Sequence, residues 1–129
     1  MPDKRTYDYA IVRIVPRVER GECMNAGIIL ACDVARYLKA RIRLDEEVLL
    51  ALDPEADLPT IRNALAVIPA ICEGGENAGP IGKLSVRERF HWLVAPKSTI
   101  VQTSPVHTGR CTDLDSALEH LLGKMVTRR

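Results

Sequence analysis

The densest concentration of reactive side chains in this chain lies between Arg87 and Gly109. It holds His91 and His107, two of the three histidines, together with Trp92 and Phe90, the single residues of their types. Arg89, Lys97, Ser98 and Thr99 supply the cationic and hydroxyl donors that bind an anion, such as a phosphorylated small molecule or a nucleotide. Arg13, Arg17 and Gln102 are further candidate contacts for such a ligand. His107 precedes Thr108-Gly109, a turn pair, so a rigid loop can present its ring as a general acid or base. Each of these readings has a plainer counterpart. Serine, threonine, arginine and lysine are common on solvated strand faces, and a turn histidine ordinarily bonds backbone. The sequence places no carboxylate or hydroxyl partner beside His107.

Other chemistry finds little support. His91 and His120 read as surface residues, and no two histidines have a metal-ligand spacing. Cys23, Cys32, Cys72 and Cys111 lack the paired spacing of a zinc site. Neither metal nor cofactor is expected. Cys32 and Cys72 sit in apolar stretches and read as small core residues. Gly79-Pro80-Ile81-Gly82-Lys83 lacks the spacing of a phosphate loop, and the glycine motifs of dinucleotide folds and hydrolases are missing. These absences lean the reading away from an enzyme and leave the question open.

Composition sets the frame. The chain has 129 residues, 47% hydrophobic and 27% charged, with a formal charge of +1. That is one globular domain and not a polyelectrolyte. Residues 1–43 carry net +4, residues 44–82 net −7, and residues 83–129 net +4. Near-neutrality is therefore a cancellation between basic ends and an acidic middle. Aromatics are 4%, so the core must be aliphatic. No apolar run approaches a membrane span. The first residues are polar rather than signal-like, which predicts a cytoplasmic protein with free thiols and no membrane partner.

The elements that must position these groups follow from periodicity. Tyr7 to Pro16 alternates and predicts a strand, with Tyr7, Tyr9, Ile11, Arg13 and Val15 on one face. Asn25 to Cys32 is nearly continuous in apolar residues and predicts a central strand. Leu38, Ala40, Ile42 and Leu44 alternate with Lys39, Arg41 and Arg43, predicting a strand with one basic face. With Arg36 nearby, this face is the candidate partner surface. Nucleic acid can meet such a patch through phosphates, but stacking aromatics are few and no recognition motif is present. A protein partner is the stronger reading, a solvated sheet surface is the bland one, and pairing with the acidic middle of the same chain is the intramolecular alternative.

Helices are predicted from Asp45 to Leu52, from Asp57 to a kink or end near residue 68, where Pro69 lies inside a helical spacing that runs on to Cys72, from the Ser85–Glu88 capping box to before Pro96, and from Thr112 or Asp113 onward. Lys124 and Arg128 suit the C-terminal end of the last helix. Glu73 to Gly82 reads as a loop, and Ser98 to Ser104 as a fourth strand. The predicted class is α+β: a single domain over 1–129, with a mostly antiparallel sheet of about four strands and helices on one face.

Two segments carry a family resemblance. The first runs from Tyr7-Asp8-Tyr9-Ala10 through Val15-Pro16-Arg17 and Glu19-Arg20-Gly21-Glu22 to Asn25-Ala26-Gly27-Ile28. The second holds Glu88-Arg89-Phe90, Trp92-Leu93, Ala95-Pro96-Lys97-Ser98-Thr99-Ile100-Val101-Gln102 and His107-Thr108-Gly109. Together they resemble the bacterial domain-of-unknown-function family 3037 over nearly the whole chain. The resemblance implies a small bacterial accessory or regulatory protein, with a HipA-type kinase as a possible partner. It marks Arg13, Arg17, Glu22, Asn25, Arg89, Lys97, Ser98, Thr99, Gln102 and His107 as motif positions without assigning them roles. The leading expectation is an interaction module. A sensor or enzyme for an anionic ligand is the alternative, nucleic-acid binding the second, and self-association stays open.

Overall fold

The computed structural model describes residues 4–127. Strand β1 (Arg5–Ile14) is the centre of a five-stranded antiparallel sheet. It pairs on one side with β2 (Met24–Cys32), which pairs onward with β3 (Tyr37–Ile42). On its other side lie β4 (Val101–Thr103), against the C-terminal half of β1, and β5 (His107–Cys111), against the N-terminal half. The α+β class and the antiparallel sheet are as predicted.

The fifth strand was not predicted, because His107-Thr108-Gly109 reads as a turn. In the fold, β4 and β5 are two halves of one edge strand broken at Ser104. The Ile11 amide donates to Ser104 Oγ at 2.8 Å in place of a ladder carbonyl, and Pro105 has no amide to offer. Ser104 is buried, so this hydroxyl keeps the ladder satisfied across the break.

Two cores result, one on each face. Helices α1 (Glu46–Leu52), α2 (Leu58–Glu73) and α3 (Val86–Val94) cover one face, where Val12, Ile14, Ile29 and Ala40 meet Leu49, Ile61, Leu65 and Phe90. Helix α4 (Leu114–Met125) covers the other, where Tyr7, Ile11, Ile28 and Leu30 meet Leu114, Leu118 and Leu121. The expected placement of all helices on one face therefore gives way in this one respect. The cause is β2, which is buried on both sides and needs apolar cover on both. Gly27 lies opposite Ile42 of β3. A Cβ there would sit 2.6 Å from the Arg41 carbonyl oxygen, so only glycine permits this pairing distance.

Of the two outcomes expected at Pro69, helix α2 does not end there but continues to Glu73. Proline removes one intrahelical bond. Burial of Ile68, Ile71 and Cys72 holds the last turn in place nonetheless. Of the stretch Glu73 to Gly82 expected as a loop, Glu73 ends α2, and from Glu76 to Lys83 the chain forms short 3₁₀ turns separated at Gly79, where φ is +66°. The capping box at Ser85 and Glu88, and the caps from Asp45, Asp57 and Asp113, are all formed. Arg128 lies outside the described residues.

Candidate functional site

The alternation of β1 divides the candidate residues between the two faces. Arg13 shares the α4 face with Tyr7 and Ile11, between Asn25 on β2 and Gln102 on β4. It is half-buried, and its Nε has no hydrogen-bond partner among the described residues. Asn25 donates Nδ2 to the Met125 carbonyl at 2.9 Å and so fastens the end of α4. Arg89 lies on the opposite side of the sheet, on α3. It is 9% exposed and donates Nη1 to the Ile71 and Cys72 carbonyls at 2.9 Å each. These are last-turn carbonyls of α2, which lack amide partners within the helix. Arg89 is thus a buried cap. Its side chain packs so closely on Gly74 (φ +76°) that a Cβ there would meet Nη1. Arg13 and Arg89 cannot grip one ligand.

The remaining candidates separate further. Arg17 reaches Asp53 at 3.4 Å, and Glu22 pairs with Arg20 at 2.6 Å, both near the surface. His107 is exposed on β5 with its ring 5.3 Å from that of Tyr9. Arg36 is exposed in the β2–β3 turn with φ +50°. The basic face of β3 does not stand open either. Lys39 pairs with Asp115 at 3.1 Å, Arg41 with Glu119 at 2.9 Å, and Arg43 donates to Thr127 Oγ1 at 2.7 Å. The carboxylates come from α4, not from the acidic middle of the chain. Such exposed pairs contribute little stability, but they set a carboxylate beside Lys39 and Arg41, two of the four cations of the patch.

What the fold does bring together is the middle of the second motif. Trp92, Lys97, Thr99 and Gln102 line a 250 Å³ groove with Leu93, Val101 and Thr103, closed on its far side by Ala64, Val67 and Ile68 of α2. A 520 Å³ cleft adjoins it and adds Val18, Thr60, Ser98 and Ile100. Around these openings Val67 is 49% exposed, Val18 46%, Trp92 41% and Ile100 37%. Isolated exposed apolar residues mean little, but four around one depression mark a surface built for contact.

The polar groups here are largely committed to shaping the groove. Lys97 Nζ donates to the carbonyls of Trp92, Leu93 and Ala95 at 3.2–3.3 Å, capping α3, and lies 5.1 Å from the Trp92 ring centre. Partial burial pulls its ammonium below the usual lysine range. Thr99 Oγ1 donates to the Val101 carbonyl, Gln102 Nε2 to the Thr99 carbonyl, and Thr103 Oγ1 to the Val94 carbonyl. The result is a mostly apolar trough with one cation and, among the described residues lining it, no acid–base pair. Residues 58–72 and 89–112, which form most of its walls, contain no aspartate or glutamate.

Val67, Ala64 and Ile100 were not singled out from the sequence. Their signal was present in α2. Beside the stripe of Ile61, Leu65, Ile68 and Cys72, a second series runs through Thr60, Ala64 and Val67 at helical spacing. A stripe that wide exceeds what one buried face requires.

The thiols are ordered by the same geometry. Cys23 is exposed, Cys111 half-buried, and Cys32 and Cys72 buried. Burial pushes the Cys72 thiol up to about 12, with nearby Arg89 opposing. Its folded pKa exceeds the unfolded value of about 8.5. Its contribution is therefore complete below that value and is lost as pH rises from there toward 12. Burial also raises Tyr7 and Tyr37. The urea midpoint is expected to hold between pH 7 and 8 and to fall above pH 9, less steeply in Cys72→Ala. An unchanged midpoint at pH 10.5 would contradict this.

Among the described residues no cluster of three metal-binding side chains is formed, and no helix is long and apolar enough to cross a membrane. The family model described as "Protein of unknown function (DUF3037)" matches residues 9–126. No curated protein and no solved structure matches the chain.

Proposed function

The chain belongs to the DUF3037 family, and from that premise we propose that it is an interaction module that binds a partner protein through the groove between α2, α3 and β4. The observation that carries this reading is the ring of exposed apolar side chains, Val18, Val67, Trp92 and Ile100, around that groove. Tryptophan is among the side chains enriched where binding energy concentrates. Polar groups nearby are bonded to backbone carbonyls, so covering them with a partner leaves few donors stranded. Lys97, Ser98, Thr99 and Gln102 then act as groove walls rather than as ligands for a phosphate.

The test is purification of the tagged chain at its native level, identification of what accompanies it, and reconstitution from purified components. The wild-type complex is expected to form, and Val67→Asp to lose it while melting at the wild-type temperature. Lys39→Glu, on the opposite face, is expected to bind normally. Recovery of the chain alone, or equal binding by Val67→Asp, would overturn the reading.

A further inference from the structure

The backbone beside the groove points to the form the partner takes. Ser104 N–H donates to the Ile11 carbonyl, and Val15 N–H to the Ile100 carbonyl. These bonds set the alternation of the β1–β4 ladder, with Arg13 opposite Gln102 between them. In an antiparallel pair every second residue turns its N–H and C=O inward. Gln102 therefore faces β1, while Val101 and Thr103 face outward. The Val101 carbonyl is occupied by Thr99 Oγ1. The Val101 N–H and both backbone groups of Thr103 have no partner among the described residues, and no described strand pairs with this edge.

Resting on the reading that the groove binds a protein, we propose that the occupant is an extended segment of the partner, added as a strand along β4. A strand laid there continues the sheet, so its alternate side chains fall on the α2 and α3 side, over the groove. Three edge residues allow only about three backbone bonds. The apolar trough must supply the rest of the affinity. Charge favours one composition: the walls hold the Lys97 ammonium, its three N–H groups already donated to α3 carbonyls, and no carboxylate, so the complementary segment is apolar at alternate positions and carries an acidic residue drawn toward Lys97 through space rather than by a hydrogen bond. A second copy of this chain fits poorly. Pro96 and Pro105 bracket the edge, limiting a β4–β4 pair to a few residues, and two such edges would bring two Lys97 side chains near each other.

The experiment is selection of a random decapeptide library on the immobilised full chain, followed by binding and amide-exchange measurements with a synthetic winner. Enriched peptides are expected to alternate apolar residues and to carry an aspartate or glutamate. Affinity should fall at least tenfold on N-methylation of alternate peptide residues and little at the intervening ones. Changing the peptide acid to its amide should weaken binding several-fold at low salt. The amides of Val101 and Thr103 should gain protection. Peptides with a helical spacing of apolar residues, indifferent to N-methylation yet lost in Val67→Asp, would overturn strand addition and leave the groove reading standing. No enriched peptide, or binding unaffected by both Val67→Asp and Ile100→Asp, would overturn both. A free chain that sediments as a dimer dissociated by Thr103→Pro would instead assign the edge to self-association and overturn the proposal.

Discussion

Replacing Phe90 with alanine is expected to remove about 3–5 kcal/mol of stability. Phe90 is the single phenylalanine, is fully buried, and belongs to the core beneath α2 and α3. The other members of this core are aliphatic or sulfur-containing side chains, so none of them brings a ring to refill the space it leaves. Total stability for a domain of this size is about 5–15 kcal/mol. The loss is therefore a large share and should lower the melting temperature by on the order of 10–20 °C. A loss below about 1 kcal/mol would show that the site collapses freely, and that α3 is not anchored as described.

The second large effect is expected at the preceding residue. Arg89→Met keeps most of the aliphatic volume and deletes the donor to the Ile71 and Cys72 carbonyls. No other donor is at hand, because the Gly75 amide bonds to the Gly82 carbonyl instead. A buried acceptor left bare costs about 1–3 kcal/mol. Removing a guanidinium that lacks a carboxylate partner returns part of this through recovered desolvation. The partial negative charge at the C-terminus of α2, which favours the guanidinium, opposes that return. We expect a net loss of about 2 kcal/mol in urea unfolding. Wild-type stability in Arg89→Met would mean that water reaches both carbonyls. Phosphate should not raise the melting temperature through Arg89, since the side chain is buried and its Nη1 already caps α2, even though its Nε has no partner among the described residues.

These two residues show why the second motif is hard to read from sequence. Glu88, Arg89 and Phe90 serve the capping box, the α2 cap and the core. Trp92 and Lys97, a few positions on, face the groove. One-dimensional spacing cannot separate an arginine that caps a helix from one that waits for an anion. The difference lies in where α2 ends, and Pro69 obscures that end. Other parts were legible. The alternation in β1 and β3, the capping residues and the apolar stripe of α4 all map onto the fold. The near-continuous apolar run of β2 already required cover on both faces, which conflicts with helices on one face only. The basic face of β3 was legible as a strand face. The pairing of Lys39 and Arg41 was not, because Asp115 and Glu119 lie more than seventy residues away in sequence. Strand β5 escaped notice because its partner strand, not its own composition, holds it extended.

The most direct measurement of the central claim is calorimetric titration of the reconstituted partner into the wild-type chain and into Val67→Asp. An unpaired carboxylate buried in an apolar interface costs about 3 kcal/mol or more, which is on the order of a hundredfold in Kd. The expected result is that loss of affinity with the melting temperature unchanged, because Val67 lies outside the core. An equal Kd for the two chains would contradict the assignment of the groove as the partner-binding surface.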